Sequence, residues 1–179
     1  MASLSVSTDP YVAVVGRRKD TATYGIFFYS PNGEITTVIE GYGLEKPMNA
    51  VRTSTGSWLV GNGANDTLDC IYELAADGHL LDKYGGQPGS GDAQLHRPFH
   101  VALSPDGKQI LVADFDSRRV LILDRQPLRA KRVLIETSGN PVRLYFVKPT
   151  GVTKLLMVTD GLSVWLYGLQ GFFRKSITP

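Results

Sequence analysis

The three histidines are the first residues whose chemistry deserves a test, because imidazole binds metals and transfers protons near neutral pH. His96 and His100 are four residues apart with Asp92 nearby, a spacing that on a helix could hold a metal ion. This segment instead has the pattern of a loop that enters a strand, where that spacing does not by itself bring two side chains together. His79 lies in a different part of the chain, and no second cluster completes a site. We therefore predict no metal site.

Two groups of cations have the composition of an anion-binding surface. Arg17, Arg18 and Lys19 form the first group, and Arg118 and Arg119 form the second. Both groups fall in the loop between the second and third strands of a predicted repeat, so both should emerge on one face. Phosphate binding needs several such cations in register, and neighbouring aspartates and a net charge of only +2 oppose it. We predict these five residues as a binding surface for a partner.

Asp114 and Arg119 flank a turn between two apolar runs. Two interpretations are open for them. They could contact a ligand on a loop face, or the carboxylate could serve the turn while the guanidinium binds carbonyl groups or a nearby carboxylate. The second interpretation is favoured, since buried charges in proteins are normally paired.

Motifs of covalent or nucleotide chemistry are absent from the sequence. It contains no Gly-x-Ser-x-Gly elbow, no phosphate-binding loop and no pair of cysteines. The single cysteine, Cys70, lies in an apolar run and is expected to be a buried, inert thiol. We predict no catalytic residue and no cofactor.

The element that must position these groups is best seen between Leu95 and Arg125. Three apolar runs, 99–103, 109–113 and 120–123, are separated by a Ser-Pro-Asp-Gly turn and by a polar loop of five residues. Short aliphatic and β-branched runs bounded by turn residues are typical of antiparallel strands. This stretch is therefore predicted to be a meander.

The meander recurs along the chain. Val15, Val60, Val112 and Val158 occupy equivalent positions at steps of 45, 52 and 46 residues. A period of about 40–50 residues is that of a four-stranded propeller blade. We predict an all-β fold, a β-propeller built of four four-stranded antiparallel blades in a single domain, 1–179. The predicted blades cover 2–43, 44–86, 95–138 and 139–179.

The third repeat resembles the NHL repeat, a family of six-bladed propellers. The resemblance lies in the segments Arg97–Ala102, Ser104–Gly107 and Val112–Asp124, together with the glycine-rich lead-in Tyr84–Pro98. These segments cover about a quarter of the chain. The resemblance implies an interaction module that binds a protein, with RNA as an alternative because some NHL propellers bind RNA on a basic face.

The resemblance also implies a polar lock between blades. The family's Asp and Arg fall on Asp114 and Arg119, and its Asn falls on Ser117, which is a departure. Asp160 matches the acid in the fourth repeat, whereas Asn62 and Arg17 replace it in the second and first. The lock is therefore expected to be complete only in the third repeat.

Four repeats are fewer than the six with which this family usually closes. The chain is therefore part of a longer propeller, or closes by association of two copies, or forms a four-bladed ring. Its start has no basic and apolar leader, and no apolar run approaches the ~20 residues that span a bilayer. We expect a soluble, cytoplasmic protein without membrane contact.

Three functions remain open from the sequence. The favoured one is a non-enzymatic interaction module that binds a protein partner on one loop face. The second is a propeller enzyme, a hydrolase or lyase, with its site at the central channel. The third is a structural, self-assembling propeller part. Because folds do not dictate function, the first depends on the family analogy.

Overall fold

The computed structural model describes residues 3–6, 12–63, 68–147, 155–159, 163–168 and 173–177. These residues form antiparallel sheets, and no helix occurs among them. The all-β prediction is confirmed.

The strands group into four sheets. Sheet I contains β1 (Ser3–Val6), β2 (Val12–Arg17), β3 (Tyr24–Tyr29) and β4 (Ile35–Glu40). Sheet II contains β5 (Pro47–Arg52), β6 (Trp58–Asn62), β7 (Cys70–Leu74) and β8 (Leu80–Gly85). Sheet III contains β9 (Pro98–Leu103), β10 (Gln109–Asp114), β11 (Arg119–Arg125) and β12 (Leu128–Glu136), and sheet IV contains β13 (Arg143–Val147), β14 (Leu155–Thr159), β15 (Val164–Gly168) and β16 (Phe173–Ile177).

Every sheet is a meander in which consecutive strands pair in chain order. One turn recurs at the strand ends. Its fourth residue is a glycine at positive φ whose N–H donates to the carbonyl three residues earlier, at 2.8–3.0 Å. Glycine is favoured there because other residues rarely adopt positive φ. The glycines of this turn are Gly33, Gly56, Gly78 and Gly107.

The sheets stack face to face in chain order, I on II, II on III and III on IV. Between sheets I and II, the core includes Ile26, Phe28 and Trp58, and the rings of Phe28 and Trp58 meet edge to face at 4.9 Å. Leu59, Ile71 and other apolar residues build the next core layer. Cys70 is buried in the first layer, and burial raises the pKa of its thiol.

Polar contacts join sheets II and III within this stack. Arg125 on β11 donates from Nη2 to Glu73 Oε1 on β7 at 2.6 Å, and both side chains are buried. Ser57 donates to the same carboxylate oxygen at 2.6 Å. On the inner strands, Asn49 Oδ1 accepts the N–H of Val101 at 2.7 Å. These contacts fix the two sheets relative to each other, because a buried charge that loses its partner is strongly destabilising.

The stack has two open ends. Among the described residues, no strand of sheet I packs extensively against a strand of sheet IV. The face of sheet I that points away from sheet II carries Val14, Phe27 and Tyr29, and the exposed Ile35 lies beside them. The four sheets therefore form an arc rather than a closed ring within the part of the chain that the structure describes.

Candidate functional site

Asp114 and Arg119 form a buried ion pair at the turn between β10 and β11. They are directly opposite each other in the strand register, and Arg119 Nε donates to Asp114 Oδ2 at 2.7 Å. The other carboxylate oxygen accepts the N–H of His96 at 2.6 Å. Burial raises the pKa of Asp114, whereas the His96 N–H and the Arg119 guanidinium act in the opposite direction.

The same turn holds the connection between sheets II and III, residues 86–97. Arg119 donates from Nη1 to the carbonyl of Ser90 and from Nη2 to that of Gln94, the latter at 2.9 Å. Ser117 Oγ donates to the carbonyl of Gly89 at 3.3 Å. Because Nε, Nη1 and Nη2 each donate a hydrogen bond, the buried Arg119 guanidinium positions backbone rather than facing solvent. Asp160, the matching acid of the last repeat, lies outside the described residues.

Asn62 occupies in sheet II the place that Asp114 occupies in sheet III. Its Oδ1 accepts the N–H of Lys46 at 3.1 Å, just before β5 begins. Its Nδ2 donates to the carbonyl of Leu68 at 3.1 Å. The Asn62 amide thus positions the chain where it enters the inner strand β5, as the Asp114 carboxylate does at His96 before β9.

The first predicted cation group lies beside the open face of sheet I. Arg17, Arg18 and Lys19 border a cleft of about 430 Å³ whose floor includes Phe27 and Tyr29. We call it the first-sheet cleft. Arg17 donates from Nε to the carbonyl of Ala22 at 3.1 Å. Arg18 lies 3.6 Å from a carboxylate oxygen of Glu40 and 3.8 Å from one of Asp20, so its charge is partly neutralised.

The two predicted cation groups are not brought together. Arg118 is exposed at a positive φ of 49° in the β10–β11 turn, whereas Arg119 beside it is buried. Sheet II lies between the sheets that carry the two groups. Their loops emerge at equivalent ends of sheets I and III, the end at which the second and third strands are joined. We call this end of the stack the upper loop face.

A third group of side chains gathers on the upper loop face, where the inner strands β9 and β13 begin. It combines aromatic rings with cations, and we call it the aromatic–cation cluster. Its members are Arg97, Phe99, His100, Phe115, Asp116, Arg143 and Tyr145. The connection that precedes β9, the β10–β11 turn and the first residues of both inner strands supply these side chains.

Ring contacts organise the aromatic–cation cluster. Phe99 and Phe115 stack with centroids 5.2 Å apart and an interplanar angle of 29°. The Arg97 guanidinium carbon lies 5.0 Å from the centroid of Phe115, and that of Arg143 lies 5.9 Å from the centroid of Phe99. Cations at these distances are attracted to the ring faces. Tyr145 leaves 45% of its surface exposed at the edge of this group.

Asp116 is the acid of the aromatic–cation cluster. Its Oδ2 accepts a hydrogen bond from Arg97 Nη1 at 3.1 Å and lies 3.9 Å from His96 Nε2. Asn140 donates from Nδ2 to its Oδ1 at 3.3 Å. The carboxylate thus joins the connection before β9 to the connection before β13.

His100 lies behind Tyr145, with ring centroids 6.0 Å apart. Its Nδ1 is buried and has no hydrogen-bond partner among the described residues. Burial, followed by the positive charge of Arg143, lowers the pKa of His100 from 6.5 to about 4. The imidazole is therefore neutral at pH 7.

Sequence reasoning overlooked this cluster because its members are distant in sequence. Arg97 to His100 precede Arg143 and Tyr145 by more than 40 residues. One signal was available, since both segments begin the first strand of adjacent repeats and must share an inner edge. That signal indicates proximity without indicating which side chains meet.

Neither a metal site nor a membrane span is seen in the described part of the chain. No group of three or more His, Cys, Asp or Glu side chains there could hold a metal ion. Nor does any helix there have the length and apolarity that crossing a bilayer requires.

Comparison with known proteins identifies a fold. No family model matches the chain, and no curated protein matches its sequence. A protein of unknown function from Bacteroides caccae aligns over 99% of this chain and 68% of its own, with a TM-score of 0.73 and 17% identity. The WD40 β-propeller domain of Doa1 aligns over 98% of this chain and 52% of its own, with a TM-score of 0.71 and 13% identity. For virginiamycin B lyase from Staphylococcus aureus the coverages are 98% and 54%, the TM-score 0.66 and the identity 15%.

These similarities support a β-propeller fold. The identities are too low to carry function from one protein to another, as propellers serve many functions. The chain spans about half to two thirds of the length of the three solved structures.

Proposed function

We propose that this chain is an arc of four NHL-type propeller blades and acts as a non-enzymatic interaction module that binds a protein partner on its upper loop face. The observation that carries the proposal is the aromatic–cation cluster at the start of β9 and β13. Stacked rings, guanidinium groups and an exposed tyrosine are the side chains that dominate binding energy at protein interfaces.

The position of the cluster supports this role. Each sheet is a four-stranded meander whose first strand is its inner strand, so the cluster lies at the inner edge of two adjacent sheets. In a propeller this edge borders the central channel. A partner segment seated there would contact side chains from two blades at once, which favours a protein surface or peptide over a contact with one loop.

A protein fits the charges better than RNA does. Arg97 is bonded to Asp116, Arg119 to Asp114, and Arg18 lies near Glu40. Each of these cations lies beside a carboxylate on the same face, which neutralises its charge in full or in part. RNA affinity depends on several unneutralised cations that follow the phosphates, and the nearby carboxylates weaken the field of these three.

Peptide selection tests the proposal. Linear peptides displayed on phage are selected against the immobilised chain, and the dissociation constants of the selected peptides are then measured by calorimetry. We expect the double variant Arg97→Ala, Tyr145→Ala to bind them at least about tenfold more weakly, because the two interface anchors together contribute about 1.4 kcal/mol or more.

The matched control removes a cation and an apolar side chain elsewhere. Arg129 and Leu81 have exposed side chains on outer strands, 68% and 53%, and Arg129→Ala, Leu81→Ala should leave peptide binding unchanged. Peptides that bind wild type and the cluster variant equally would overturn the proposal. So would tighter binding of a single-stranded uridine oligonucleotide than of any peptide.

A further inference from the structure

Three polar groups of the aromatic–cation cluster have no hydrogen-bonding or ionic partner among the described residues. Arg143 forms no ion pair or hydrogen bond through its side chain within the described part of the chain, and its guanidinium carbon lies 5.9 Å from the ring centroid of Phe99. His100 Nδ1 is buried without a hydrogen bond. Tyr145 is 45% exposed and its hydroxyl forms no hydrogen bond. Buried polar groups normally have partners, so the unsatisfied His100 nitrogen beside an unpaired guanidinium and an available tyrosine hydroxyl calls for an explanation.

The other arginines of this region are paired with carboxylates. Arg97 is bonded to Asp116, Arg119 to Asp114 and Arg125 to Glu73. Arg143 alone among these four has a guanidinium directed to a ring instead of a carboxylate. Its charge reaches His100, because it contributes to the lowered pKa of that imidazole.

The missing complement is a single negative charge with two acceptor atoms. A carboxylate fits, since its two oxygens accept a forked pair of hydrogen bonds from a guanidinium. The Tyr145 hydroxyl can donate a further hydrogen bond to the same group. The apolar surroundings, Phe99 and the tyrosine ring, would strengthen these bonds by excluding water.

We infer that Arg143, with Tyr145 and His100 beside it, forms a binding site for a carboxylate that an acidic side chain of the protein partner supplies. This inference rests on the proposed function and adds the chemistry of the partner. A phosphate backbone is a poorer occupant, because its successive phosphates need several unpaired cations, whereas the neighbouring Arg97 is already bonded to Asp116.

A small carboxylate probes the site without knowledge of the partner. N-acetylglutamate amide is titrated into the chain while the imidazole and tyrosine ring signals are followed by NMR, with N-acetylglutamine amide as the neutral match. We expect only the glutamate compound to shift the signals of His100 and Tyr145. It should also raise the pKa of His100 by about one unit, a tenfold rise in proton affinity, because it offsets the charge of Arg143.

Variants decide whether Arg143 is responsible. Arg143→Gln should abolish the glutamate-dependent shifts, Arg143→Lys should retain part of them, and Arg129→Gln should leave them intact. Shifts that persist in Arg143→Gln, or that the glutamine compound reproduces, would overturn the inference. A stronger response to inorganic phosphate than to the carboxylate would also overturn it.

The carboxylate site and the protein-binding role can fail independently of each other. If selected peptides need Arg97 and Tyr145 but tolerate replacement of every Asp and Glu by Asn and Gln, the protein-binding role stands and the carboxylate site fails. If the peptides ignore the cluster while N-acetylglutamate amide still binds at Arg143, the protein-binding role fails instead.

Discussion

At the scale of single residues, His100 makes the stability of the fold depend on pH. Its pKa is about 4 in the folded chain and 6.5 in the absence of burial. Between these values the unfolded chain binds more protons than the folded one, so the free energy of unfolding falls as the pH falls. Above pH 6.5 the imidazole is neutral in both states and the fold keeps this stability in full. Below about pH 4 the loss is complete and amounts to about 3 kcal/mol, at 1.36 kcal/mol per pKa unit.

Urea unfolding at pH 7.5 and pH 4.5 measures this effect. We expect His100→Gln to lose less stability than wild type between the two pH values, because no imidazole must then be kept neutral. The control His79→Gln changes an exposed histidine that contacts Asp77 at 2.6 Å, and should retain the dependence that His100 causes. Equal losses in wild type and His100→Gln would contradict the prediction.

The buried ion pairs show which side-chain contacts can be predicted from the sequence and which cannot. Asp114 and Arg119 could be identified because a turn of four residues separates them and they face each other in the strand register. Arg125 and Glu73 could not, because 52 residues separate them and only the stacking of two sheets brings them together. His100 and Tyr145 meet for the same reason.

At the scale of elements, the connection between sheets II and III depends on one guanidinium. Arg119 binds the carbonyls of Ser90 and Gln94, and within the connection the N–H of Gly89 donates to the carbonyl of Leu95 at 3.0 Å. Removing the guanidinium leaves Asp114 buried without its charged partner, a loss that typically costs about 3–5 kcal/mol.

Hydrogen–deuterium exchange over residues 86–97 tests this role. Arg119→Gln should lower amide protection in the connection by about tenfold or more, because local opening then needs less free energy. Arg118→Gln replaces the exposed neighbour and should leave the protection unchanged. If the connection exchanged equally slowly in both variants, Arg119 would not be what holds it.

The strands and their pairing within each sheet could be predicted because their signals are local. An apolar run, a turn with glycine at its fourth position and another apolar run define a hairpin without reference to the rest of the chain. The recurring glycine turns at Gly33, Gly56, Gly78 and Gly107 are such signals. How the sheets pack depends on contacts between distant residues, so the sequence pattern indicated a repeat without indicating its closure.

At the scale of the whole molecule, the open faces of the arc decide how the chain behaves in solution. Each sheet has a forward face, which packs on the next sheet of the chain, and a rear face, which packs on the preceding sheet. The rear face of sheet I, which carries the first-sheet cleft, and the forward face of sheet IV are the two that have no neighbouring sheet among the described residues. A second copy can therefore continue the stack by placing its sheet IV against sheet I.

We expect this chain to self-associate, because contact of the apolar outward face of sheet I with water is unfavourable and a second copy would bury it. Light scattering over a range of concentrations should give a mass above that of one chain. Ile35 lines the first-sheet cleft and is 49% exposed, so Ile35→Glu should fold normally and weaken association by about tenfold or more, the effect of placing a charge in an apolar contact. Leu81→Glu makes the same change on the outer strand β8 and should leave the mass unchanged. A single-chain mass for the unaltered chain at every concentration would show instead that the outward face of sheet I does not bind a second copy.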